Sequence, residues 1–135
     1  MATRTAEAPL NPGTVSSAVD SYFTGFNAED YRAVAALFAA DGVLLAPFEE
    51  PIVGTEAIYT YLEAEAVSMR AVPVEVETEV DADGNQRVVV RGRVKTLLFT
   101  VGVRWTFVLT AADTIQSAEI KLMASLQELM QLDRG

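Results

Sequence analysis

The side chains that most often run chemistry in proteins are absent from this chain. Its 135 residues include no histidine and no cysteine. That removes the commonest general base, thiol nucleophiles, Ser–His pairs and the commonest metal ligands. Catalysis would have to rest on carboxylates, Lys or Tyr. Recognition of a neutral polar group falls to phenol and indole donors, which stay uncharged in a dry site. The one tryptophan, Trp105, lies in the most regular stretch, Val101 to Ala111. Val101, Val103, Trp105, Phe107 and Leu109 alternate there with Arg104, Thr106, Val108 and Thr110, the period of a strand with one apolar face. An indole N–H on a buried face needs an acceptor. Either a backbone carbonyl of the core or a bound ligand would serve.

The composition bounds the rest. Half the residues are hydrophobic and 21% are charged, an ordinary globular balance. The length suits one domain with a real core. The net charge of −9 is opposite to that of nucleic-acid binders, and an anionic membrane surface would also repel this chain. No apolar run reaches the ~18 residues of a membrane span. Residues 1–13, MATRTAEAPLNPG, read as a disordered leader without a secretion signal, so the expected compartment is the cytoplasm. Residues 14–135 read as a single domain.

The elements that must position Trp105 follow from periodicity. Thr14 to Asn27 places Val15, Ala18, Val19, Tyr22, Phe23 and Phe26 at helical spacing. Asn27 to Asp30 resembles a capping box. A second helix carries Tyr31, Val34, Ala35 and Phe38 on one face and ends at Asp41–Gly42. Gly42 to Ala46 is a short strand, and Pro47 and Pro51 bracket a stiff loop. A third helix starts at Gly54–Thr55 with Ile58, Tyr61, Leu62, Ala66 and Met69 as its stripe. Val72 to Val80 alternates as a strand, and Asp81 to Asn85 is a turn. The return strand has Val90, Gly92, Val94, Thr96 and Leu98 inward and Arg91, Arg93 and Lys95 outward. Folding around Gly84 predicts Glu77 opposite Arg91 and Glu75 opposite Arg93. A reversal near Thr100–Gly102 leads to the Trp105 strand. A last strand runs from Thr114 to Met123, and Ser125 caps a tail helix with Leu126, Leu129 and Met130 on one side. The layout is α+β, a curved antiparallel sheet against three helices with a C-terminal tail helix.

This order resembles the NTF2-like cone. A closer resemblance rests on the strings SYFTGFNAEDYRAVAALFAADGVLLAPFEEPIVGTEAIYTYLEAEA, VVVRGRVKT, WTFVL and LMASLQELMQL. They are similar to the C-terminal domain of the orange carotenoid protein family, over about residues 14 to 132. The resemblance implies a carotenoid carrier in photoprotection, of the kind found in cyanobacteria. It implies that Tyr22 and Trp105 hydrogen-bond the keto oxygen of a ketocarotenoid of echinenone or canthaxanthin type. Phe26, Phe38, Phe107 and Leu109 are candidates for lining the pocket, beside their default role as core. The resemblance also makes Glu65 a docking point for a separate helical carotenoid carrier. Leu126, Leu129 and Met130 would cover the mouth. The hairpin from Thr96 to Trp105 is shorter than in the family and has Leu98–Phe99 where a Trp-Phe pair is usual.

Two other readings stand beside this one. NTF2-like isomerases hold a steroid in the same cone and need an acid base near the end of the first strand and an acid on a sheet strand. This chain has Ala46 and Trp105 at those places. Two donors without a base can hold a carbonyl but cannot move a proton. The third reading is a ligand-free dimerisation module. A domain of this length has a radius of gyration of roughly 14 Å, so a long polyene would protrude from one copy. A homodimer, each cone holding one ring, would shield more of it. No metal, nucleotide, nucleic acid or stable membrane insertion is expected.

Overall fold

Helix α1 (Ser17–Asn27) begins where Ser16, in extended conformation, accepts a hydrogen bond from Val19 N–H. This is the capping geometry that satisfies an otherwise orphan donor. Its buried face is Ala18, Val19, Tyr22, Phe23 and Phe26, as the helical spacing requires. These observations come from a computed structural model that describes residues 16–123. The leader 1–13 and the tail-helix residues Leu126, Leu129 and Met130 lie outside the described residues.

Asn27 closes α1 rather than opening the next helix. Its side chain holds the backbone of Ala71, donating to the carbonyl (2.9 Å) and accepting from the N–H (2.7 Å). The cap of α2 (Tyr31–Ala35) is Asp30, whose carboxylate accepts from Ala33 N–H. Helix α2 is only five residues long. Phe38, read from sequence as the end of that helix face, instead opens strand β1 (Phe38–Leu45). It is buried in either setting, which is why the apolar pattern alone did not separate them.

After β1, the two-residue strand β2 (Ile52–Val53) pairs back on Val43 and Leu44. Helix α3 (Thr55–Glu65) follows and buries Ile58 and Leu62. Then come β3 (Arg70–Val80), β4 (Gln86–Lys95), β5 (Thr100–Leu109) and β6 (Ile115–Leu122). The sheet order is β2-β1-β6-β5-β4-β3. All neighbours are antiparallel except β1 and β6, which are parallel. The expected antiparallel sheet is therefore a curved mixed sheet. The reason is topological: the meander β3 to β6 brings the last strand back beside the first, pointing the same way.

Three local readings are also corrected. The β3–β4 hairpin centres on Asp83 rather than Gly84, Val80 pairing with Gln86, so Glu75, not Glu77, lies opposite Arg91; a register shift between Pro73 and Glu75 then sets Val72 opposite Arg93. Pro73 has no N–H for a regular ladder, which places the irregularity there. Gly92 faces this point, and a Cβ on it would collide with the Val72 carbonyl oxygen. The β4–β5 reversal is at Thr96–Phe99, not Thr100–Gly102. Thr96 N–H donates to the Phe99 carbonyl, and its hydroxyl oxygen accepts from Leu98 and Phe99 N–H. Leu98, expected inward, is thus exposed in the turn.

The core fills the space between α1, α3 and one face of the sheet. Val103, Trp105, Phe107 and Leu109 on β5 are all buried, as their alternation predicts. Asp113, in the β5–β6 turn, ties that sheet end to the start of α1. Its carboxylate accepts from Ser16 Oγ, Ser17 Oγ and Ala18 N–H. A carboxylate there also meets the positive end of the helix dipole.

Candidate ligand-binding site

The face of α1 that presents Tyr22 also presents Phe26 four residues on, one helical turn away. Across from them, β5 presents Val101, Val103 and Trp105 from the alternating face. Between these walls lies a cavity of about 250 Å³. Tyr61, Leu62, Glu65 and Ala66 of α3 border it, with Met69 after the helix. Ala46 and Pro47 at the end of β1 and Ile120 and Leu122 of β6 form another side. Val94, Thr96 and Phe99 border it at the β4–β5 turn. Among the described residues Glu65 is the one carboxylate in this lining, and it is exposed.

Tyr22 is fully buried, and its hydroxyl has no hydrogen-bond partner among the described residues. Its ring is fixed edge-on by Phe107 (5.0 Å between centroids) and Phe23 (5.2 Å) and stacks with Phe26. Burial, and to a smaller degree the neighbouring Tyr61, push its ionisation far above the ordinary tyrosine range. The group therefore remains a neutral donor. A buried hydroxyl without a partner costs on the order of 1–3 kcal/mol. Trp105 is only 2% exposed and meets Phe23 edge-on at 4.8 Å. Phe23 thus touches both donor-bearing rings.

The structure brings Tyr22, Trp105, Phe26 and Glu65 to one cavity. Phe38, Phe107 and Leu109 are buried in the core outside its lining. Phe107 and Leu109 share a face with Trp105, but the cavity lies toward the Val101 end of β5. Phe107 acts one layer back, holding the Tyr22 ring. The sequence places Tyr61, Met69, Val94 and Val101 on apolar faces without marking them as site residues. Val101 and Val103 were recoverable, because they continue the alternation of Trp105 toward the turn. Asp41, Glu49 and Glu50, the acids nearest in sequence to Ala46, are exposed and outside the lining. Among the described residues no group of acidic side chains is arranged to hold a metal ion, and no helix is long and apolar enough to cross a membrane.

A curved sheet closed by helices over an apolar hollow defines the NTF2-like class. The model of the SnoaL-like domain matches residues 19–121, and the chain belongs to that family. More narrowly, it is homologous to the C-terminal domain of orange carotenoid proteins. It is 34% identical over 124 residues to the orange carotenoid-binding protein of Limnospira maxima, covering 89% of this chain and 39% of the relative. It is 33% identical over 126 residues to the orange carotenoid-binding protein of Synechocystis sp., covering 90% and 40%. The chain spans about two-fifths of the length of these relatives. The structure of the Anabaena (Nostoc) orange carotenoid protein binding canthaxanthin superposes with a TM-score of 0.79 at 30% identity, over 96% of this chain and 43% of that one.

Proposed function

We propose that this protein is a non-catalytic carrier that holds the keto-bearing ring of a ketocarotenoid, of echinenone or canthaxanthin type, in the cavity between α1, α3 and the sheet. The observation that carries the reading is Tyr22, which lines an otherwise apolar hollow with Trp105 and whose buried hydroxyl is unpartnered among the described residues. A carbonyl is the ligand group that two neutral donors satisfy without a charge. The cavity is slightly smaller than the ~300–1,000 Å³ typical of whole drug-sized ligands. It suits one cyclic end group, with the polyene leaving through the mouth at Thr96–Phe99. The homology to proteins named for orange carotenoid binding points to the same ligand class.

The lining also argues against proton transfer. Ala46 stands where an isomerase would need its base, and Glu65 sits at the exposed rim. Chemistry on a bound carbonyl needs a base within hydrogen-bond reach of the proton it removes. In this proposal the carrier is a cytoplasmic homodimer in photoprotection, quenching singlet oxygen through its pigment. It exchanges cargo with a helical carotenoid carrier that docks near Glu65, and residues Leu126, Leu129 and Met130 cover the mouth.

The test is co-expression in a host that makes ketocarotenoids, followed by an absorption spectrum of the purified protein. Bound pigment with a red-shifted band is expected. Trp105→Phe keeps the bulk, removes the donor, and is expected to shift that band to the blue. A protein that comes out colourless refutes the carrier reading. An unchanged band in the variant refutes the role of Trp105. Sedimentation of the loaded protein as a monomer refutes the dimer.

A further inference from the structure

Two hydrogen-bond donors serve one carbonyl oxygen only if both point at the same place, each within roughly 2.7–3.2 Å of it. Here the donors stand on different elements, Tyr22 on α1 and Trp105 on β5. Apolar burial holds a helix on a sheet, but it is non-directional and does not set how two rings face each other. Aromatic pairs do, because the edge of one ring prefers the face of the next.

Along the sheet, Trp105 is flanked by Val90 on β4 and Ile120 on β6, both aliphatic. From the helix side, the one aromatic ring that meets it among the described residues is Phe23, with centroids 4.8 Å apart and planes at 90°. Phe23 also meets Tyr22 edge-on, at 5.2 Å and 80°, and Phe107, at 5.9 Å and 82°. Its ring is thus close to perpendicular to three others at once. Among the described residues no ring contact joins Tyr22 to Trp105 directly, so Phe23 is the ring between them. Helical geometry puts it there. One residue on from Tyr22 is about 100° around α1, which turns Phe23 away from the hollow and toward β5. It is 5% exposed and does not line the cavity, so it acts on a ligand only through the two donors.

We infer that Phe23 is a positioning residue: its ring, wedged between Tyr22 and Trp105, holds the phenol and the indole in the relation that lets both donate to a single carbonyl. This role rests on the carrier reading of the cavity. A leucine at the same place fills most of the space with a branched chain that has neither face nor edge. Tyr22 then stays packed by Phe26 and Phe107, whereas Trp105 loses its one ring contact. The indole is therefore the donor that drifts. A bound ketone keeps one donor of two, while a ring without the keto group loses nothing specific.

The test compares the full chain with Phe23→Leu in two measurements. In the first, each protein is titrated with a ketocarotenoid and with a carotene of the same length that lacks the keto group. The preference for the keto form is expected to fall about fivefold, the worth of one ordinary hydrogen bond. In the second, the single tryptophan of the pigment-free protein is excited and the decay of its fluorescence anisotropy is followed. A faster local decay is expected in Phe23→Leu. Phe23→Tyr keeps the ring and is expected to retain the parent's values in both measurements. Ile115→Ala, in the core and outside the cavity lining, is expected to lower the melting temperature and leave both values unchanged. If Phe23→Leu does not fold, Phe23→Met fills the space without a ring and carries the same expectations. Unchanged keto preference in the ring-less variant overturns the proposal, and so does an unchanged anisotropy decay. Ile115→Ala moving both values as far as Phe23→Leu overturns it too, because Phe23 is then an ordinary core residue. A parent that binds no pigment refutes the carrier reading, whereas a faster decay in Phe23→Leu still supports the hold of Phe23 on Trp105.

Discussion

Replacing Tyr22 with phenylalanine separates a structural tyrosine from one held in place for a ligand. The ring is packed by Phe23, Phe26 and Phe107, and phenylalanine preserves every one of those contacts. Only the hydroxyl is lost, and among the described residues it bonds to nothing. An unpartnered buried hydroxyl destabilises by on the order of 1–3 kcal/mol. Tyr22→Phe is therefore expected to stabilise the ligand-free protein by about that amount. At roughly 3–6 °C per kcal/mol for a domain of this size, the melting temperature should rise by several degrees. Affinity should move the other way. The variant forfeits a hydrogen bond made in a dry site, and a loss of about 1–3 kcal/mol corresponds to roughly 5- to 150-fold. The assays are thermal unfolding of the pigment-free protein and titration with a ketocarotenoid. A carotene without the keto group serves as control and should bind both proteins equally. A variant that is less stable, or that binds the ketocarotenoid as tightly as the parent, refutes the reasoning.

Further predictions follow from the same geometry. Burial raises the ionisation of Tyr22 above its ordinary value of 10.0, so the unfolded chain loses its phenol proton before the folded one does. Stability should then fall as pH rises above about 10, and chemical denaturation at alkaline pH should show a shallower fall in Tyr22→Phe. Gly92→Ala drives a methyl group into the Val72 carbonyl at the β3 irregularity. It should cost about 1–3 kcal/mol, read as a drop in the urea midpoint. Asp113→Ala removes the acceptor of Ser16, Ser17 and the Ala18 N–H. A loss of about 1–2 kcal/mol is expected, with amide exchange quickening first in the opening turn of α1.

The donor-bearing residues of the candidate site were legible in the sequence because their types are few. With no histidine or cysteine, the neutral donors on apolar faces were the remaining candidates for recognition. Alternation placed Trp105 inward, and helical spacing placed Tyr22 and Phe26 on one face. Local geometry dictates both periods, so sequence carries them faithfully. The end of α2 was not legible, because Phe38 is equally apolar on a helix face or at a strand start. The β3–β4 register was not legible either. It depends on the turn, which centres the hairpin on Asp83 rather than Gly84, and on the further irregularity at Pro73.

Sequence by itself determined the α+β class, the inward face of β5 and the absence of thiol or imidazole chemistry, since each follows from residue types and short periods. Only the tertiary structure decided that β1 and β6 run parallel and that the hollow ends at Trp105, leaving Phe107 and Leu109 to the core. It also decided that Leu97, Leu98 and Phe99 stand exposed at the β4–β5 turn. Those outcomes depend on which distant segments meet, and no local pattern in the chain encodes that meeting.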